Sequence, residues 1–319
     1  MKSDQMDQKT KLAQIGLGAA WLIGLAAALQ LVEMLLGKSP LAAALGGAVL
    51  ADVVAGFAGV RWDSAKARGA AAGSATSPKA AGKAAAKAQE GEAKGEKDGE
   101  EAPASGARPV AAEKTAGGEA AGAIEGEEPN PVRHVGIGMA AALAAVIATL
   151  LVGAVLGWVS VERGGPSSSI AFALLRSAAL GVRDELMLRG IVLTAAARAG
   201  VSPLVAAGVA ALAGGASLAF VPTASFGAIA LAITSGFFFA LLWQRFKGAW
   251  AAIGAHAFWI FLIGSALKGG FIEVGWASGS LTPGGRSTGG AAWLAAAVFA
   301  LLAAGALIEQ RKRAARRAG

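Results

Sequence analysis

The stretch Arg183-Asp184-Glu185-Leu186-Met187-Leu188-Arg189-Gly190 places four charges in the middle of a segment that otherwise reads as a membrane helix. Across residues 169–197, apolar side chains such as Ile170, Leu174, Leu180, Leu186 and Ile191 favour insertion, together contributing roughly −3 to −7 kcal/mol on the insertion scale. Arg176, Arg183, Asp184, Glu185 and Arg189 oppose them at about +2.5 to +3.5 kcal/mol each near a helix centre. Uncompensated, the charges win. The helix therefore needs partners inside a bundle, and charge in such a place points to function. A cluster that only glues helices together is the competing reading.

The rest of the chain is of the same kind. It has 319 residues, 55% of them hydrophobic, and a mean hydropathy of +0.55, the profile of a polytopic membrane protein. Cysteine is absent, which excludes disulfides, thiol nucleophiles and Cys-type metal sites. Tyrosine is absent too, so no phenol serves as acid, base or nucleophile. Only two histidines occur, His134 and His256, which limits any metal proposal. The net charge of +8 is distributed as membrane orientation demands rather than as a nucleic-acid surface, so no nucleic-acid partner is expected.

Apolar stretches mark out about eight spans: 12–36, 41–60, 135–159, 169–197, 203–221, 224–244, 249–267 and 290–309. Residues 1–60 read as an N-terminal transmembrane hairpin. Residues 61–132 are Ala, Gly, Lys and Glu with some Ser and Pro, and predict a disordered low-complexity linker. Residues 133–319 form the main domain, ending in a basic tail. Ser202-Pro203 reads as an N-cap and first-turn pair opening the fifth span, and Pro222 closes it. Trp158, Trp243, Trp250 and Trp293 fall near span ends, where interfacial tryptophans belong. Lys and Arg gather on the side of the termini, the linker, Arg198, Arg245 and Lys247; the other side has Lys38, Arg163, Lys268 and Arg286. The asymmetry predicts cytoplasmic termini and a cytoplasmic linker.

On a helix, Glu185 and Arg189 are four apart and share a face, so they can pair inside the bundle. Asp184 points about 100° away. Asp52, in the second span, is a candidate partner for Arg176 or Arg183. His256 lies about 12 Å from the cytoplasmic start of its span, and Glu185 about 20 Å from the cytoplasmic end of its own, an offset of about 8 Å. Beside two carboxylates, an embedded histidine suggests acid–base or oxyanion chemistry. The geometric expectation is that Asp184 or Glu185 faces His256 across a polar cavity, within reach of one water.

Asp184-Glu185-x-x-x-Arg189-Gly190, followed two spans later by His256, resembles the CAAX-protease and bacteriocin-processing (CPBP) family of intramembrane proteases over about residues 135–268. That family's pattern is Glu-Glu-x-x-x-Arg, Phe-x-x-x-His and His-x-x-x-Asn on successive helices. The flanks Gly190-Ile191-Val192-Leu193 and Gly248-Ala249-Trp250-Ala251-Ala252-Ile253 are similar as well. The resemblance implies that Asp184 activates a water, that Glu185 and Arg189 form the ion pair, and that His256 stabilises the oxyanion. This sequence departs from the pattern in three places. Aspartate stands at 184 for glutamate, Ile260 stands where the last motif has asparagine, and the fifth span has no histidine. Depending on alignment, Phe220 or Ala224 occupies that histidine's place.

Two other readings compete. Thr234-Ser235-Gly236 ahead of His256 is a partial rhomboid-type signature, but Ile233 stands in its glycine position, and Ser235 is expected to bond its own helix backbone. No inverted repeat supports a transporter. No cofactor is expected, and a divalent metal would need mostly carboxylate ligands. The sequence thus predicts an all-α, polytopic membrane protein with a six-helix CPBP-like core, in a bacterial inner membrane. Its expected function is a glutamate-type intramembrane endopeptidase acting on membrane protein or peptide substrates in the lipid bilayer. The second reading is a catalytically silent scaffold that binds a membrane partner.

Overall fold

The computed structural model describes residues 39–60, 130–165, 169–219, 221 and 223–318. The first predicted span, nearly all of the linker, Phe220 and Pro222 lie outside these residues.

Helix starts follow the capping rules. Helix α1 (Pro40–Phe57) opens with Ser39, whose hydroxyl accepts from the Ala42 amide at 3.4 Å, and with proline at the first position. Helix α2 (Pro131–Val155) repeats this with Asn130, which accepts from the Arg133 amide at 3.1 Å. Then come strand β1 (Val159–Arg163) and a long rod made of α3 (Ser169–Asp184), a π-helical turn (Glu185–Gly190) and α4 (Ile191–Arg198). Helix α5 (Pro203–Ala219) starts at the predicted proline. Helix α6 (Phe226–Phe246) is capped by the Ser225 hydroxyl on the Ala228 amide at 3.0 Å. Helix α7 (Trp250–Phe261) continues into a second π-helical turn (Leu262–Ala266). Strand β2 (Ile272–Trp276) and helix α8 (Gly289–Ala318) complete the chain.

The fold is mostly helical, as expected, with one short β-ribbon added. Strands β1 and β2 pair antiparallel, with Val159 opposite Trp276 and Arg163 opposite Ile272. Helix α2 stops short of residue 159 because Gly157 takes a φ of +70°, which turns the chain out of the helix. The extended segment that follows then finds its partner more than 100 residues later in sequence.

Four described helices, α1, α2, α6 and α8, are long and apolar enough to cross a membrane. Helices α5 and α7 are apolar but shorter. Helix α6 is the central rod, with 61% of its apolar window buried against 22% for α1 and 28% for α2. Helices α5 and α8 pack along α6, α2 lies along α7, and α1 runs beside α3. The α2–α7 seam is a backbone contact: a Cβ on Gly254 would lie 2.5 Å from the Val135 carbonyl oxygen, and one on Gly138 would strike the Ala251 oxygen. Small residues at such crossings let membrane helices approach closely.

The two ends of the bundle differ. At one end His134 meets Phe246 with ring centroids 4.9 Å apart, Gln244 donates to the Pro203 carbonyl at 2.6 Å, and Arg245 pairs with Glu309 at 2.8 Å. This basic end also holds Arg198 and the last turns of α8. The opposite end carries the β-ribbon and the loop of residues 277–288, tied down by the Ser225 hydroxyl donating to the Ser287 carbonyl at 2.7 Å. Of the tryptophans expected at interfaces, Trp293 is exposed, whereas Trp243 is buried against Gly190.

Candidate active site

The charged rod meets α7 through small residues, Gly181 on Ala257. A Cβ on Gly181 would lie 2.7 Å from the Ala257 Cβ and 2.8 Å from its nitrogen, so only glycine permits this approach. One turn further on, the helix widens into the π-helical turn, a feature that concentrates at functional sites.

Glu185 is the hub. Its Oε1 accepts from Arg189 Nη1 at 3.0 Å and lies 2.8 Å from His256 Nδ1, and its side chain is fully buried. Glu185 and Arg189 thus form the pair that their spacing suggests. The direct contact with His256 closes the offset of about 8 Å that residue counting suggests. Arg189 is accommodated by Gly236, where a Cβ would lie 2.8 Å from Nη2, and its guanidinium sits 5.8 Å from the centre of the Phe239 ring. The His256 ring stacks on the same phenylalanine at 5.1 Å. Phe239 thus orders both partners of Glu185, a role that its place in an apolar run does not reveal. Among the described residues, Glu185 Oε2 and Arg189 Nε make no hydrogen bond. Removing one member of such a buried group leaves the others uncompensated, at a cost of about 3–5 kcal/mol.

Asp184 has different surroundings. Its Oδ1 accepts from Arg183 Nε at 2.7 Å, and its side chain is 21% exposed. Arg183 pairs with its own neighbour Asp184. Asp184 and His256 line one cleft of about 140 Å³, together with Leu188, Arg189, Trp259 and Ile260. The geometric expectation divides accordingly. Glu185 touches His256 with no room for a water between them, while Asp184 shares the cavity with it.

Other expectations meet definite positions. Ile260, where the family pattern has asparagine, forms part of the cleft wall and offers it no hydrogen-bond donor. Ser235 also lines the cleft, but its hydroxyl donates to the Leu231 carbonyl at 2.6 Å, a helix-backbone bond that occupies its proton. His134 packs against Phe246 at the basic end, away from the cleft. No group of three His, Cys, Asp or Glu side chains placed to hold a metal occurs among the described residues.

Residues 166–262 match the family model described as Type II CAAX prenyl endopeptidase Rce1-like. This segment contains the charged rod, α5, α6 and the start of the second π-helical turn, and every candidate site residue falls within it. No curated protein and no solved structure matches the chain.

Proposed function

Residues 166–262 are a Rce1-like segment of the CPBP family, and from that premise we propose that this integral membrane protein hydrolyses peptide bonds of membrane-associated substrates. One observation carries the reading: His256 Nδ1 lies 2.8 Å from a buried carboxylate, while the same histidine and Asp184 line one cleft. A carboxylate on one imidazole nitrogen fixes the tautomer and presents the other nitrogen for proton transfer.

In the proposed reaction a water sits between Asp184 and His256 Nε2. Asp184 orients it, and Nε2 takes one proton as the oxygen adds to the scissile carbonyl. Glu185 stabilises the imidazolium that forms. The C–N bond then breaks, and the imidazolium returns the proton to the leaving amine. These roles differ from those the resemblance implies, in which Asp184 is the base and His256 the oxyanion donor. With Nδ1–H committed to Glu185, the neutral ring has a lone pair at Nε2 and acts as a base.

Eight spans with cytoplasmic termini in a bacterial inner membrane fit the charge distribution. The test uses the full chain purified into liposomes with internally quenched peptides. Asp184→Ala and His256→Ala each lower cleavage by about 10²–10⁴. Cleavage that survives both substitutions contradicts the mechanism. The second reading, a catalytically silent partner-binding protein, rests on the apolar Ile260 in the cleft wall. Wild-type protein that cleaves nothing while Ile260→Asn does would establish it.

A further inference from the structure

The cleft has a direction. Along α5 and α6 its walls come from the half nearest the ribbon: none of α5 before Gly214 and none of α6 after Ser235 contributes, while Asp184, Leu188, Arg189 and His256 form its inner end in the middle of the bundle. Leu218 in the last turn of α5 and the loop residues Thr282 to Gly285 mark its outer rim. Toward the basic end the site is closed. There Glu185 is fully buried, and Trp243 and Val60 pack so near Gly190 that a Cβ would lie 3.0 Å from each. Asp184 and His256 keep 21% and 15% of their side chains accessible, and both line the cleft.

Charge assigns that direction to a face of the membrane. Arg133, Arg198, Arg245, Lys247, Arg311, Lys312, Arg313 and Arg316 lie at the basic end, against Arg163, Lys268 and Arg286 at the ribbon end among the described residues. The basic end is the cytoplasmic one by the positive-inside rule. Size limits what can enter. A cleft of about 140 Å³ is close to the roughly 150 Å³ known to hold one benzene ring. That volume matches one apolar side chain and is too small to enclose an isoprenoid tail.

We infer that the site is loaded from the ribbon end, at the non-cytoplasmic face, by an extended, unlipidated segment of a membrane or exported protein that places one apolar side chain in the cleft. The chemistry performed there rests on the endopeptidase reading; the access route does not.

The absence of cysteine makes the route measurable. The full chain is prepared with single substitutions Ser217→Cys or Leu218→Cys in the cleft wall, Thr282→Cys in the loop, and Arg198→Cys at the basic end. A small, charged, membrane-impermeant methanethiosulfonate is added to right-side-out and inside-out vesicles. The cleft and loop cysteines react in right-side-out vesicles, and Arg198→Cys reacts in inside-out ones. Cleft cysteines that react from the Arg198 side overturn the route, as do cleft cysteines that stay inert while Thr282→Cys reacts. Labelling needs no turnover, so a protein without peptidase activity is still judged on access, and an active one can still fail it. For the substrate class, a quenched peptide and its farnesylated form are compared on the wild type. Faster cleavage of the farnesylated form overturns it; equal or slower cleavage supports it.

Discussion

Helix α7 has two working faces, and they are built in opposite ways. Toward α2 it presents Ala251, Gly254 and Ala255, and the two backbones touch without a polar side chain between them. Toward the charged rod it presents His256, held by a fully buried glutamate that also binds an arginine. The dry face needs no particular chemistry, only the absence of side-chain bulk, and it keeps α7 in place. The charged face carries the desolvation of three ionisable groups, and only a helix already fixed from behind can hold them in register.

That contrast can be broken most strongly at Glu185. Glu185→Ala strands Arg189 and His256 in the interior and should destabilise the protein by about 3–5 kcal/mol, read as thermal unfolding in detergent. A loss within about 1 kcal/mol would mean that the hub is not holding the bundle. Next come the two glycines. Gly254→Ala and Gly181→Ala each force a methyl group against backbone less than 3 Å away, at a cost of about 1–3 kcal/mol. They should differ in kind: Gly254→Ala loses stability alone, whereas Gly181→Ala also displaces His256 and loses cleavage beyond its effect on folding. Equal effects of both on cleavage per folded molecule would erase the distinction between the faces.

Asp184→Asn sharpens the comparison from the other side. Its carboxylate accepts from the adjacent Arg183 and lines the cleft instead of sitting in the buried hub, so stability should fall by less than for Glu185→Ala while cleavage falls by about 10²–10⁴. The smallest effect belongs to the basic end. Arg245→Ala removes a partly exposed pair with Glu309 and should shift unfolding by no more than about 1 kcal/mol.

The helical rods are legible in the sequence because membrane insertion leaves a strong periodic and compositional trace. Spans read at 169–197, 224–244, 249–267 and 290–309 meet helical segments that begin within two residues of those starts. The pairing of Glu185 with Arg189 is legible too, since a spacing of four fixes a shared face whatever the neighbours do. The choice between Asp184 and Glu185 as the partner of His256 is not. It depends on how two helices are rotated about their axes, and the π-helical turn alters that rotation with no sequence signature of its own. The ribbon escapes for another reason. Val159–Arg163 is short and charged, and its partner strand is distant in sequence, so local pattern contains neither its pairing nor the loop that rims the cleft. Phe239 and Gly236 are hidden in plain apolar sequence, and only the position of the guanidinium reveals what they do.

The proposed mechanism requires that Glu185 hold Nδ1–H of His256 and leave Nε2 bare toward the cleft. The chain has only two histidines, so ¹⁵N-histidine labelling in lipid, with His134→Gln to remove the other, isolates a single ring for solid-state NMR. The neutral His256 ring should be protonated at Nδ1 and unprotonated at Nε2, and Glu185→Gln should abolish this preference. A neutral ring protonated at Nε2 in the wild type, unchanged by Glu185→Gln, would contradict that mechanism.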